Sequence, residues 1–210
     1  MAPTARDTTR RVDVKKTYKL YIGGVFPRSE SGRSYAVHST PVGRAAPRFL
    51  ANAAQGSRKD ARDAVLAARS AFGGWSGATA YNRGQVLYRV AEVMESRRGQ
   101  FVDDVRAAEG VSPTRADSLV SQAIDRWVWY AGWTDKLAQI LGGLNPVAGP
   151  YFDISAPEPT GVVAVLAPQQ SSLLGLVSVV APVIATGNTA VVLTSTDRPI
   201  PAIALAEALA

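Results

Sequence analysis

The run from Gly161 to Pro199, GVVAVLAPQQSSLLGLVSVVAPVIATGNTAVVLTSTDRP, constrains the fold of this chain more than any other segment. Val162 to Leu166 is a short apolar, β-branched run that ends just before Pro168, as a strand buried in a parallel sheet does. Ser171 or Ser172 offers a hydroxyl suited to cap a following helix. Leu173, Leu174, Leu176, Val177, Val180 and Ile184 supply the apolar residues of that helix. Gly187 and Asn188 provide a left-handed stop, and Thr189 to Leu193 reads as a second strand. Strand, helix and strand in this order make one βαβ crossover, a connection that is right-handed in nearly all sheets. The chain is therefore expected to be α/β.

Upstream, Gly23-Gly24 joins Leu20–Ile22 to Val25–Phe26 as a hairpin would, and Ser31-Gly32 precedes a strand at Ser34–Val37. Arg44 to Asn52 reads as a further short strand and loop. A helix starts at Ser57, with Asp60 at capping-box spacing; Ala61, Val65, Ala68 and Phe72 share one face, and Gly73-Gly74 ends it. Tyr81 to Arg97 follows, with Val86, Leu87, Val90, Ala91 and Met94 as its buried stripe, and then Phe101 to Glu109, closed by Gly110. Ser112-Pro113 opens a helix that reaches as far as Leu141, its core face formed by Leu119, Ala123, Ile124, Trp127, Tyr130, Leu137 and Leu141. Gly132 is the place for a kink. Trp127, Trp129 and Trp133 lie at helical spacing, which favours a packed core over a stacking platform. Tyr151–Ile154 reads as a strand in a proline-rich stretch, and Ala202–Ala210 as a last helix.

Composition removes several chemistries. No cysteine occurs, which excludes a disulfide framework, thiolate-held metals and a cysteine nucleophile among these residues. His38 is the one histidine and lies far along the chain from Ser171 and Ser172, so a serine–histidine–acid triad finds no support. Asp103-Asp104 are adjacent and point apart on a helix, and neither GxGxxG nor a Walker sequence is present. The net charge is +6, and residues 1–19 hold six basic residues against Asp7 and Asp13. With no basic stripe interleaved with aromatics elsewhere, residues 1–17 read as a flexible basic tail and not as a nucleic-acid arm. Leu173 to Ala185 is shorter than the roughly 20 residues that span a bilayer, and Pro182 interrupts it, so no membrane association is expected. Arg10-Arg11 is followed by RVDVKKTYKL without an apolar region, so no export signal is read and a cytoplasmic location is expected.

The crossover resembles the core of the aldehyde dehydrogenase superfamily, whose corresponding words are roughly GVVGxIxPWNFPLL and APALAAGNTVVLKPSExTP. Ala181-Pro182, Gly187-Asn188-Thr189 and Val191-Val192-Leu193 stand at the family's spacing. IGG-x-F…SG-x near the start and AIDRWVWYAGWTDKL on the long helix are similar too, so the resemblance covers about residues 18–210. It implies a partial Rossmann-like parallel sheet with helices, preceded by a β-hairpin and helical region. Residues 18–144 would be that hairpin and helical part, 145–160 an oligomerisation-arm-like segment, and 161–210 the first βαβα of a cofactor domain. NAD or NADP is the cofactor the resemblance implies.

The working positions differ from the family words. Gln170 stands where the family has the asparagine that donates to the oxyanion. It keeps an amide but is one methylene longer, and its alternative reading is a turn residue at a strand end. Thr194 stands where the family has the lysine that grips the adenosine ribose, and Asp197 where it has a glutamate. Both are read as a weakened cofactor half-site. In family order the thiolate and general base fall beyond residue 210. The expectation is thus a truncated aldehyde dehydrogenase-like chain, inactive alone. It would be a homo-oligomer or joined to an aldehyde dehydrogenase-like partner. Alternatives are one subunit of a split enzyme, or a non-enzymatic module that docks on a genuine one. Open sheet edges, an unpaired Tyr151–Ile154 arm and uncovered Ile203, Leu205 and Leu209 are expected to drive that association.

Overall fold

In the computed structural model, which describes residues 14–210, the crossover forms as expected: β6 is Val162–Leu166, α6 Leu174–Ala185 and β7 Thr189–Leu193. β6 and β7 are parallel and in register from Val162↔Thr189 to Leu166↔Leu193. Gly187 takes φ +86°, a conformation that costs glycine little, and places Asn188 to close the turn. The Asn188 side chain accepts from the Gly161 amide at 2.9 Å and from Thr160 Oγ1 at 3.1 Å, which ties the start of β6 to the start of β7.

Ahead of the crossover, β1 (Thr17–Tyr18), β2 (Ser34–His38) and β3 (Phe49–Ala54) form a sheet in the order β1-β3-β2, with β1 parallel and β2 antiparallel to β3. The Gly23-Gly24 hairpin is present as a single bridge between Ile22 and Val25, with φ of 60° and 81° at the two glycines. Of the basic tail expected over residues 1–17, residues 1–13 lie outside the described residues, whereas Thr17 is already paired in β1.

Four helices build the body: α1 (Arg58–Gly77), α2 (Ala80–Ser96), α3 (Arg98–Glu109) and α4 (Pro113–Ala131). Leu87, Met94, Phe101, Val105, Val120, Trp127, Leu173 and Val177 are fully enclosed and form one core with α6 and α7 (Ile200–Leu209). A smaller core under β2 and β3 unites Val37, Ala51 and Ala53 with Ile200.

Several expected details change, each for a packing reason. α1 runs through Gly73-Gly74 because Trp75, the next residue, packs on the core and donates its indole N–H to the Ile184 carbonyl at 2.9 Å. Asp60 is its one buried residue, and Ala61 and Val65 are exposed. On α2, Val86 faces out and Gly84 is buried instead, since α4 approaches too closely for a side chain there. α4 stops at Ala131: Thr134 Oγ1 donates to the Ala131 carbonyl at 3.0 Å, and Lys136 Nζ donates to that of Gly132. The short α5 (Leu137–Leu141) follows, with Leu141 exposed. Of these three tryptophans only Trp127 is core; Trp129 is 54% exposed, meets Tyr130 edge-to-face and lies tilted against Trp133.

The strand expected at Tyr151–Ile154 is shorter, shifted and paired within the chain. β4 (Gly143–Leu144) and β5 (Ile154–Ser155) pair antiparallel with each other, and Tyr151 and Phe152 are left outside. Leu173 holds the N-cap position of α6, and of the two expected serines Ser171 caps its first turn, accepting from the Gly175 amide, whereas Ser172 turns to another partner. Ala202, Ala204 and Leu205 of α7 are buried in the core that α7 shares with α2 and α3, so the uncovered Leu205 expected from the sequence is covered.

Candidate functional site

Because β6 and β7 are parallel and in register, the chain leaves both strands at the same edge, and the segments 167–172 and 194–198 lie side by side. In open α/β sheets, ligands bind in the crevice beyond such strand ends. Gln170, Thr194 and Asp197 are brought to this edge, and all three are exposed.

The two segments are stitched by residues that sequence reasoning missed. The Ala167 amide donates to the Leu193 carbonyl at 2.9 Å, which continues the ladder one residue past β6. The Gln169 side chain donates to Ala167 O at 2.9 Å and accepts from the Thr196 amide at 3.4 Å. Ser195, 4% exposed, donates its hydroxyl to the Gln169 carbonyl at 3.0 Å and accepts from the Arg198 amide at 3.2 Å. Arg198 then donates from Nη1 to the Gln170 carbonyl. A serine three residues before a backbone donor is a legible turn signal. Nothing local marks Arg198, whose partner lies 28 residues away.

From behind, Glu109 at the end of α3 holds the approach to α6. Its Oε1 accepts from both the amide and the hydroxyl of Ser172, each at 2.7 Å. A carboxylate outcompetes a helix terminus for a serine because charge-assisted hydrogen bonds are roughly twice as strong as neutral ones. Ser171 Oγ instead accepts from the Gly175 amide at 2.9 Å.

Among the described residues, no hydrogen bond fixes the Gln170 amide or the Thr194 hydroxyl. Asp197 faces Tyr35 of β2; burial first, and then the Asp197 charge, push the Tyr35 phenol above its ordinary pKa. The arrangement presents one free amide, one hydroxyl and one carboxylate at a strand edge. That suffices for hydrogen bonding to a polar ligand. It offers no nucleophile with an adjacent base. Among the described residues no group of three or more His, Asp or Glu side chains is arranged to hold a metal ion. An open hollow of about 420 Å³ runs along α4 beside Gln122, Arg126 and Trp129 and is not lined by Gln170, Thr194 or Asp197.

Fold and site together define an α/β chain with a nucleotide-fold crossover and its polar residues at the strand ends. The description "Aldehyde dehydrogenase family" matches residues 31–210, and the chain belongs to that family. It is 30% identical to the putative aldehyde dehydrogenase DhaS of Bacillus subtilis, over 99% of this chain and 41% of that protein. It is also 30% identical to the D-glyceraldehyde dehydrogenase (NADP(+)) of Thermoplasma acidophilum, over 86% of this chain and 36% of the relative. The NAD+ complex structure of aldehyde dehydrogenase from Bacillus cereus superposes with a TM-score of 0.85 at 27% identity, over 92% of this chain and 39% of that one. The chain thus spans about two fifths of the length of these relatives.

Proposed function

We propose that residues 18–210 supply the hairpin, the helical body and the first βαβα of the cofactor domain of an aldehyde dehydrogenase unit, and that alone they do not oxidise aldehydes. The observation that carries this reading is the pairing of family-spaced β6, α6 and β7 with a chain free of cysteine. Aldehyde oxidation of this type needs a thiolate to attack the carbonyl, a base to activate water and a nicotinamide to accept hydride. These residues contribute at most the oxyanion position, through Gln170. An oxyanion donor must lie about 2.7–3.1 Å from the charge, and the Gln170 side chain is exposed and unfixed.

The strand edge does not fit a dinucleotide by itself. Thr194 carries no charge, and Arg198 at this edge already donates to the Gln170 carbonyl. NAD or NADP binding would need a second half-site beside β6 and β7. In this reading Thr194 and Asp197 would contact the adenosine ribose only once that half-site is present, and residues 145–160 act as an oligomerisation arm.

The exposed apolar residues at the strand ends favour an association reading. Leu166 and Leu193 are 78% and 58% exposed, and Phe152 on the arm is 78% exposed. A segment carrying the thiol and the remaining sheet, on the same or another chain, would cover them. The test is NAD- and NADP-linked oxidation of several aldehydes by purified residues 1–210, alone and with a cysteine-bearing aldehyde dehydrogenase fragment. No turnover above a mock preparation is expected alone. Turnover alone that Gln170→Ala abolishes would refute the proposal.

A further inference from the structure

One charged cluster lies apart from the strand edge, where β1, α3 and α7 meet. Glu207 of α7 bridges two cations: its Oε1 is 3.0 Å from Lys16 Nζ, just before β1, and its Oε2 is 2.6 Å from Arg97 Nη2, at the start of α3. Lys16 also lies over the Tyr18 ring, 4.5 Å from its centroid. Arg97 is braced by Gln100 at 2.9 and 3.1 Å and by the Phe101 ring. These contacts clasp a strand only two residues long, whose one strand neighbour is β3.

Beneath the clasp is Asp104. Its Oδ2 is sealed from solvent and has no hydrogen-bond partner among the described residues. An ionised carboxylate with an orphaned buried oxygen is costly, whereas a protonated one is neutral. The described groups that act on it are Asp103, Arg97 and Gln100 from α3 and its cap, Tyr18 from β1, and Glu207 from α7; Lys16 lies one bridge away. Burial, and then the charges of Asp103 and Glu207, outweigh the pull of Gln100 and Arg97 and raise its pKa from 3.8 to about 6.

We propose that Asp104 is the sensing carboxyl of a pH-dependent latch that holds the segment around β1 on α3 and α7, closed when Asp104 is neutral and loosened when it ionises. Ionisation places a third negative charge beside Asp103 and Glu207 and draws Arg97 from the Glu207 bridge that the latch depends on. The Asp104 pKa is higher in the closed state than in an exposed chain. The latch is therefore fully present below the ordinary carboxylate range and is lost as pH rises through about 6.

Hydrogen–deuterium exchange of purified residues 1–210 between pH 4 and 8, corrected for intrinsic rates, tests this. Protection of the segment 14–22 is expected to fall by up to about 100-fold as pH rises through 6, the ratio that a pKa difference of about two units allows. The core segment 116–127 is expected to keep its protection. Asp104→Asn should hold segment 14–22 protected at every pH. Carbon-13 NMR titration of the unaltered protein should show one aspartate with a midpoint near 6. A pH-independent segment 14–22, equal loss in 14–22 and 116–127, unchanged pH dependence in Asp104→Asn, or no aspartate midpoint above 4.5 would each overturn the latch.

Discussion

Replacing Asp60 with asparagine removes one charge and almost no volume from the joint between the N-terminal hairpin and α1. Asp60 is 7% exposed, and its carboxylate accepts three hydrogen bonds: from Ser29 Oγ at 2.7 Å, the Ser57 amide at 2.7 Å and the Glu30 amide at 3.0 Å. Its own amide donates to Ser57 Oγ at 3.2 Å, which completes the capping box. Burial by itself would raise the carboxyl pKa, but the bonds from Ser29, Glu30 and Ser57 outweigh it and lower it to about 2. An asparagine can keep its oxygen toward Ser29 and Ser57, but its NH₂ then faces the Glu30 N–H. One charge-assisted bond is lost, about 1.5–3 kcal/mol, and two are weakened, so a loss of about 2–4 kcal/mol at pH 7 is expected. The Ser57 half of the box survives, which keeps the effect below that of deleting the cap as well.

The assay is urea unfolding followed by tryptophan fluorescence, with the m-value as a check that compactness has not changed. The depressed pKa gives the pH signature. The contribution of Asp60 is complete above its unfolded value of 3.8 and is lost as pH falls through about 2. Wild type and Asp60→Asn should therefore differ most at neutral pH and converge toward pH 2. A difference within about 0.5 kcal/mol at pH 7, or one that grows on acidification, would refute the argument; the former is what an ordinary surface substitution gives.

Glu109→Ala should cost about 2 kcal/mol and speed amide exchange across 169–173, because both donors of Ser172 lose their acceptor. Gly84→Ala should cost about 1–3 kcal/mol, since its Cβ would meet Thr134 Oγ1 at 2.8 Å and the Ala131 carbonyl at 3.0 Å; thermal unfolding reads it. Light scattering should find the chain associated at micromolar concentration, and Leu166→Lys with Leu193→Lys should shift it toward monomer, because both side chains are largely exposed. If Thr194→Lys leaves a measurable dinucleotide affinity unchanged in calorimetry, the assignment of Thr194 to the ribose position is wrong.

The βαβ unit was legible because its signals are local. β6 and β7 begin and end where the β-branched runs do, and Gly187 takes the left-handed turn its position calls for. The cap at Ser57 and the stop at Gly110 were legible for the same reason, since each depends on groups within four residues. Parallel register alone then carried Gln170, Thr194 and Asp197 to one edge. Where α1 ended was decided by tertiary structure, because the contact of Trp75 with Ile184 spans 109 residues and overrides two glycines. The same holds for Gly84, for the outward Trp129 and for Ser172, which Glu109 draws from 63 residues away. Local backbone preference is worth about 1 kcal/mol or less per residue. Closing a core or satisfying a carboxylate is worth more, so distant partners decided these positions.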